Sequence, residues 1–289
     1  MADSSDVRFL KGHGTKNDFV IIPDRDATLE LSARQVARIC DRRSGIGADG
    51  VLRVVPTDAV ADATQSSSAR WFMDYRNADG SIAEMCGNGA RVFAHFLVDE
   101  GWEDGPEFTI ATRAGRHDVV IGSDGEISVG MGAPADGVAG RDPIVSLGGR
   151  SYQADAWWLP NPHAVVFVED LEAFDTPLPE PEVVDHRRFP TGQNVEFVHD
   201  VSIPGQLHAE MRVHERGVGE TLSCGTGACA VSLSVRKRHG VEAPGTSAID
   251  VPGGRLRVHH TADGRINLIG PAELVGRGTF DPDWWENAE

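Results

Sequence analysis

Short apolar runs with the two-residue period or compact length of β-strands recur along the chain. They occupy residues 19–22, 51–55, 71–75, 107–112, 118–121, 164–168, 195–198, 208–214, 255–259 and 265–269, and most end in Gly, Asp or Pro. Three segments carry the helical period instead. The first begins at Ser32, where Ser32 and Gln35 fit a capping box, and is predicted to end near Gly45. The second spans residues 88–100, with Val92, Phe93, Phe96 and Leu97 on one apolar face and Gly101 as its stop. The third spans residues 226–239 and also ends at a glycine, Gly240. The polar stretches 57–70 and 171–182, the second rich in Pro and Glu, read as surface loops without chemistry. Few helices among many short strands predict a mixed α+β fold.

The second and third helices open on the same motif. Cys86-Gly87-Asn88-Gly89-Ala90 returns 138 residues later as Cys224-Gly225-Thr226-Gly227-Ala228. Each copy follows a β-type run, precedes an apolar helix and has a polar residue nine positions before its cysteine, Asn77 in one and Glu215 in the other. The chain therefore reads as a duplication. Two pseudo-symmetric halves are predicted, each with short, mostly antiparallel strands wrapped around a central helix and with the active site in the cleft between them. The N-terminal half, 1–132, carries Cys86 and is completed by 275–289; the C-terminal half, 133–274, carries Cys224.

A cysteine at a helix start sits where unpaired N–H groups favour negative charge, so its thiol is poised as a base. The small residues beside it, Gly87 and Asn88 in one copy and Gly225 and Thr226 in the other, let an anion approach the backbone. If the halves face each other, one sulfur lies on each side of a bound carbon. One thiolate then removes the α-proton, the helix ends stabilise the enediolate-like charge on a carboxylate, and the opposite thiol returns a proton to the other face. No cofactor is required. Cys40 and Cys229 read as buried small hydrophobes. A Cys86–Cys224 disulfide, an oxidised off-state, is an alternative for the pair.

Composition narrows the partners. The 289 residues hold 44 acidic and 27 basic side chains, a formal net charge of -17, with no basic cluster beyond Arg236-Lys237-Arg238, which argues against nucleic acid. Residues 1–6 have neither a basic start nor an apolar run, and no window reaches the length of a membrane span, so a cytoplasmic protein is expected. Four scattered cysteines without a CxxC pair predict reduced thiols and no zinc site. Residues 45–50 spell G-x-G-x-x-G, but after a helix and before a strand, the reverse of a dinucleotide site.

Several strings together resemble the diaminopimelate epimerase family. They are Tyr75-Arg76-Asn77-Ala78-Asp79-Gly80-Ser81 with Met85-Cys86-Gly87-Asn88-Gly89-Ala90-Arg91, Glu215-Arg216-Gly217-Val218-Gly219-Glu220-Thr221 with Ser223-Cys224-Gly225-Thr226-Gly227, Asn161-Pro162-His163, and His13-Gly14-Thr15-Lys16-Asn17-Asp18-Phe19-Val20. The resemblance implies interconversion of LL- and meso-2,6-diaminopimelate, on the route to lysine and peptidoglycan, by a homodimer that uses neither pyridoxal phosphate nor metal. It implies that Cys86 and Cys224 are acid and base, that Gly87, Asn88, Gly225 and Thr226 hold the reacting carboxylate, and that Asn17, Asn77, Asn161, Asn194 and Arg216 hold the substrate. It further implies that Glu215 and His163 orient the amine and set the thiol protonation states. Read without the family, Asn77 before Asp79-Gly80 is turn chemistry, His163 a satisfied loop histidine and Glu215-Arg216 a solvated strand end.

There are two departures from the family pattern. Gly50 stands where glutamine is frequent, so no role is carried to it, and Thr226 stands where serine is common. Two rival readings remain: a proline or hydroxyproline racemase of related fold, which needs fewer polar contacts, and a thiol redox or sensor protein cycling a Cys86–Cys224 disulfide.

Overall fold

Four helices form among the described residues: α1 (Ala33–Cys40), α2 (Gly87–Asp99), α3 (Gly225–Arg238) and α4 (Pro282–Glu286). In this computed structural model residues 7–61, 69–135, 143–183 and 189–287 are described. The six N-terminal residues, the middle of the 57–70 loop and the last two residues of the 275–289 segment, all read from sequence above, lie outside them. The chain divides into two units, Met1–Val129 with Pro271–Glu289, and Gly130–Gly270.

In the first unit the strands hydrogen-bond in the order Glu273–Thr279, Arg8–Gly14, Asn17–Pro23, Gly50–Pro56, Trp71–Asn77, Glu107–Thr112, Gly115–Ile121 and the first half of Ile127–Gly132, the strand in which the unit boundary falls. Their senses run antiparallel, antiparallel, parallel, antiparallel, parallel, antiparallel, antiparallel. In the second unit the order is Ile144–Leu147, Arg150–Trp158, Pro162–Phe167, Asn194–Asp200, Leu207–Glu215, Gly245–Val251, Gly254–His260 and Ile266–Gly270, with the same sequence of senses. The duplication in the two cysteine motifs thus extends to eight strands in each unit, and the second unit adds two short ones, Glu182–Val183 beside Ile144–Leu147 and Gly219–Thr221 beside Leu207–Glu215. The first unit draws its outermost strand from the far end of the chain, which is why residues 271–287 belong to it.

Each central helix fills the parallel crossover of its unit. α2 lies between Trp71–Asn77 and Glu107–Thr112, and α3 between Leu207–Glu215 and Gly245–Val251, because a parallel pair needs a long connection and a helix supplies it. Both are buried over most of their length. Ten residues of α2, Val92, Phe93, Phe96 and Leu97 among them, and eleven of α3 are sequestered, so tertiary burial rather than propensity stabilises them.

Arg91 of α2 is the largest fully buried side chain, at 0% exposure. Its guanidinium donates to Pro271 O, Gly87 O, Thr15 Oγ1 and Asn88 Oδ1, tying the first turn of α2 to the Thr15 turn and to the returning C-terminal segment. That turn holds two non-glycine residues in the left-handed region, Thr15 at φ 49° and Lys16 at φ 63°, as a tight hairpin requires.

α1 keeps its capping box, with Ser32 accepting from Gln35 N and Gln35 Oε1 accepting from Ser32 N. It ends at Cys40, five residues before the expected Gly45. The cause is Asp41, extended at ψ 122°, whose carboxylate accepts from Arg43 N, Ser44 N and Ser44 Oγ and turns the chain out of the helix. Residues 171–182 are also held more firmly than a surface loop. Arg212 donates to Leu171 O, Phe174 O and Asp175 O while Glu220 accepts from Leu178 N, and Leu178 is buried.

The C-terminal tail packs within its own unit. Trp284 stacks on Phe280 at 5.5 Å and 6°, Trp285 lies 5.0 Å from the same ring, and the Arg38 guanidinium sits 4.4 Å over Trp284.

Gly80 closes the turn after Asn77 at φ +84°, and a Cβ there would lie 2.2 Å from Ala33 O at the start of α1. Gly80→Ala is expected to lower unfolding stability by more than about 2 kcal/mol in urea titration, because both the backbone conformation and the contact are refused.

Candidate active site

The strand register decides which side chains gather at each helix start. In the first unit Phe19, Gly50 and Asn77 form one cross-strand row, with Leu52 two residues beyond Gly50. In the second unit His163 stands opposite Asn194, and Val195 opposite His214, so Asn194 and Glu215 come next in the ladder. Position by position, Phe19 matches His163, Gly50 matches Asn194, Leu52 matches Glu196 and Asn77 matches Glu215. Asn17 and Asn161 each stand two residues before the row.

Cys86 is the N-cap residue of α2, with φ −139° and ψ 120°, and its Sγ accepts the Gly89 N–H at 3.3 Å. The thiol lies 3.6 Å from Asn17 Oδ1, which also accepts from Asn88 Nδ2 at 3.3 Å. Asn17 Nδ2 donates in turn to Asp49 Oδ2 at 2.8 Å. Asn77 is engaged in its own turn, donating from Nδ2 to Ser81 Oγ at 3.0 Å, as the bare turn reading expects. Cys40 belongs to a different environment, where burial pushes its thiol up to about 12.

Cys224 is the N-cap residue of α3, with φ −124° and ψ 114°, and its Sγ accepts the Gly227 N–H at 3.4 Å. Thr226 Oγ1 lies 3.5 Å from the sulfur and Asn194 Nδ2 donates to it at 3.9 Å. Asn194 Oδ1 accepts the Arg216 N–H at 3.0 Å. Burial first, then the carboxylates of Glu215 and Glu196, push the Cys224 thiol well above its ordinary value, while Thr226 and the Gly227 N–H act the other way. Glu215 accepts from Thr221 Oγ1.

His163 and Glu196, both at 0% exposure, meet at 2.6 Å through Nδ1 and Oε1, and His163 Nε2 lies 3.0 Å from Asn161 Oδ1. Arg216 is exposed, and its guanidinium donates to Thr191 O and Thr191 Oγ1. Its stem runs beside Gly192, at φ +81°, where a Cβ would come within 3.0 Å of Arg216 Cδ.

Each unit therefore assembles its own set. The first brings together Cys86, Gly87, Asn88 and Asn17, with Asn77 locked in its turn. The second brings together Cys224, Gly225, Thr226, Asn194, Glu215 and the backbone of Arg216, with Glu196 and Asn161 joined through His163. Gly50 is excluded from any side-chain role for a steric reason, since a Cβ there would lie 2.5 Å from Arg76 O and 2.7 Å from Tyr75 Cε2. The G-x-G-x-x-G segment leaves α1 and enters the strand Gly50–Pro56, the order that excludes a dinucleotide site. The sequence reading passed over Asp49, Glu196, Thr191 and Thr221. Only Glu196 left a trace, a lone acidic residue inside the apolar run 195–198. All four cysteines are free thiols, and no described helix is long and apolar enough to cross a membrane.

The sequence profile of the diaminopimelate epimerase family matches residues 9–135 and 159–275. A diaminopimelate epimerase of Streptomyces coelicolor is 46% identical, covering 98% of this chain and 98% of its own, and one from Acidothermus cellulolyticus is 45% identical over 94% and 95%. Among solved structures, a PhzF-family phenazine biosynthesis protein of Bacillus anthracis superposes with a TM-score of 0.68 at 17% identity, covering 96% of this chain and 99% of that one. A hydroxyproline epimerase of Agrobacterium vitis superposes with a TM-score of 0.63 at 15% identity, over 94% and 92%. The fold is the duplicated α+β fold of those two proteins, and the chain is an isomerase of the epimerase class. It belongs to the diaminopimelate epimerase family.

The carboxylates that hold Cys224 protonated make a test. Glu215→Gln is expected to speed alkylation of Cys224 by iodoacetamide near neutral pH severalfold, since below the midpoint each unit of downward shift raises the thiolate fraction about tenfold. Peptide mass spectrometry reads the rate at each cysteine; an unchanged Cys224 rate would show that the Glu215 charge does not reach the sulfur.

Proposed function

We propose that this chain interconverts LL- and meso-2,6-diaminopimelate by moving a proton between the two faces of one α-carbon with Cys86 and Cys224. The observation that carries the reading is the repeated construction of a helix-capping cysteine with a glycine N–H on its sulfur, once in each unit. In this reading one sulfur, as thiolate, takes the α-proton, and the other, as thiol, supplies a proton to the opposite face. The negative charge that develops on the α-carboxylate is met by the first-turn N–H groups at Gly87, Asn88, Gly225 and Thr226, which lie at the positive end of each helix dipole.

Asn17, Asn77, Asn161, Asn194 and Arg216 hold the rest of the substrate. For Arg216 this means exchanging its bonds to Thr191 for a bidentate grip on the distal carboxylate. His163 and Glu215 orient the amine and set protonation at the thiols. The chemistry uses neither a cofactor nor a metal, so the chain supplies acid, base and oxyanion donors from its own residues. The active form is a homodimer in the cytoplasm, feeding lysine and peptidoglycan precursor synthesis.

The decisive experiment follows the α-hydrogen. In deuterium oxide the enzyme should incorporate deuterium at the α-carbon of LL-diaminopimelate during turnover. Cys86→Ala and Cys224→Ala should each lower epimerisation by at least about a thousandfold, since each removes one of two obligatory proton carriers. Full activity in either variant sinks the two-base scheme, and turnover of proline in place of diaminopimelate transfers the chain to the racemase reading. Activity that requires the Cys86–Cys224 disulfide would instead favour the redox reading.

A further inference from the structure

Two side-chain amides stand beside the two sulfurs, and they present opposite ends. Asn17 Nδ2 donates to Asp49 Oδ2 at 2.8 Å, and a carboxylate oxygen can only accept, so the orientation of that amide is decided. Asn17 Oδ1 therefore faces Cys86 Sγ at 3.6 Å. At the other site Asn194 Oδ1 accepts the Arg216 N–H, a group that can only donate, so Nδ2 faces Cys224 Sγ at 3.9 Å. An amide oxygen beside a sulfur favours the S–H form, whereas an amide N–H favours the thiolate.

The orientation of Asn17 originates in a segment that carries no role so far. Asp49 lies in the glycine-rich run 45–50, and it is held from three sides: Arg42 Nη2 donates to Oδ1 at 2.8 Å, and Asp18 N and Asn17 Nδ2 donate to Oδ2. The glycines allow the run to close. A Cβ on Gly45 would lie 2.0 Å from Arg38 O, and Gly47 adopts φ +77° with Arg42 Cα 3.0 Å from its Cβ position.

We propose that Asp49 is a positioning residue for the reaction: by fixing the Asn17 amide it favours the thiol form of Cys86. This deepens the two-cysteine reading and rests on it. The charged groups joined to this chain of contacts are Arg91 from α2, which donates to Asn88 Oδ1, and Asp49 with its neighbours Arg42, Asp18 and Lys11. Lys11 pairs with Asp18, and Arg42 pairs with both Asp18 and Asp49. Loss of the Asp49 charge would itself ease ionisation of Cys86, so the test must separate charge from orientation.

Asp49→Asn does this when combined with Asn17→Ala. In Asp49→Asn one end of the side chain becomes an NH2 group, so position 49 can no longer accept from Arg42, Asp18 N and Asn17 together, and the Asn17 amide loses the fixed acceptor that keeps its NH2 away from the sulfur. Iodoacetamide alkylation of Cys86 in the full-length protein, resolved by peptide mass spectrometry over about pH 6 to 9, reads the thiolate fraction without substrate. Asp49→Asn should alkylate at Cys86 roughly three- to tenfold faster near neutral pH, the change in thiolate fraction for a downward slide of about half to one pH unit.

In the Asn17→Ala background the same change at position 49 should keep only the smaller part that comes from the lost charge, since the orientational coupling passes through the amide. Asn17→Ala alone, which keeps Asp49, should also move the Cys86 profile down, and this arm stands if Asp49→Asn fails to fold. The proposal is overturned if Asp49→Asn leaves the profile in place, if its effect persists undiminished without Asn17, or if Asn17→Ala alone changes nothing. Because alkylation needs no diaminopimelate, failure here is distinct from failure of the wild-type enzyme to epimerise that substrate.

Discussion

The site depends on a cysteine sulfur doing the work of an N-cap oxygen. In both units Sγ accepts the N–H of the glycine three residues on, at 3.3 Å for Gly89 and 3.4 Å for Gly227. Sulfur is a weaker acceptor than the Ser, Thr, Asp or Asn oxygen that normally closes this position, and a poor N-cap costs a helix about 1 kcal/mol. Burial of the helix offsets that loss. α2 and α3 are sequestered along most of their length, and in the first unit the fully buried Arg91 draws the opening turn onto the Thr15 turn and Pro271. The glycine at the third position follows from the same requirement, since a Cβ at Gly227 would lie 3.3 Å from Cys224 Sγ and 2.8 Å from Glu196 Oε1.

What lies beneath each sulfur separates the two halves. A Cβ at Gly89 would meet Leu52 Cδ2 and Phe19 Cζ, both hydrocarbon. The matching positions in the second unit are Glu196 and His163, a fully buried carboxylate and imidazole in contact at 2.6 Å. Glu196 Oε2 has no hydrogen-bond partner. A bare buried acceptor of this kind costs on the order of 1–3 kcal/mol, so the second unit retains a polar floor that is unfavourable for folding alone. Its effect is felt at Cys224, where Glu196 joins Glu215 and burial in keeping the thiol protonated.

Much of this was legible in the residues. The cysteine motifs announce both helix starts, and α2 and α3 begin one residue earlier than their apolar periodicity suggests because Gly87 and Gly225 already adopt helical geometry. The ten β-type runs all correspond to strands, while several strands escaped. Glu273–Thr279 is mostly exposed and interrupted by Gly276 and Gly278, so it has no buried face to produce alternation. Ile144–Leu147 is too short for a period to register, and the α1 terminus was misplaced because Asp41, not Gly45, turns the chain. The site divided in the same way. Residues next to the motifs could be named, but Asp49 and Glu196 act through strand register and side-chain rotamers, which a linear pattern does not contain.

Duplication also explains why a divergence in side chains was needed. Two copies of one backbone present two sulfurs in the same local frame, each with a glycine N–H at its cap, and by themselves would give both sulfurs the same proton affinity. A reaction that takes a proton with one sulfur and gives it with the other requires them to differ at every instant. The shared strand order supplies the common frame, and the residues in matching positions break the equivalence: hydrocarbon against an acid–imidazole pair below, and an amide oxygen against an amide N–H alongside. These differences need not act in one direction. The amide at Cys224 favours thiolate while burial and two carboxylates oppose it, so the free protein holds that sulfur protonated against a donor already in place to receive the charge. A sulfur balanced in this way responds strongly to a small change in its surroundings, and the cationic amine of a bound amino acid, set against Glu215 in the proposed reaction, supplies a change of the required sign.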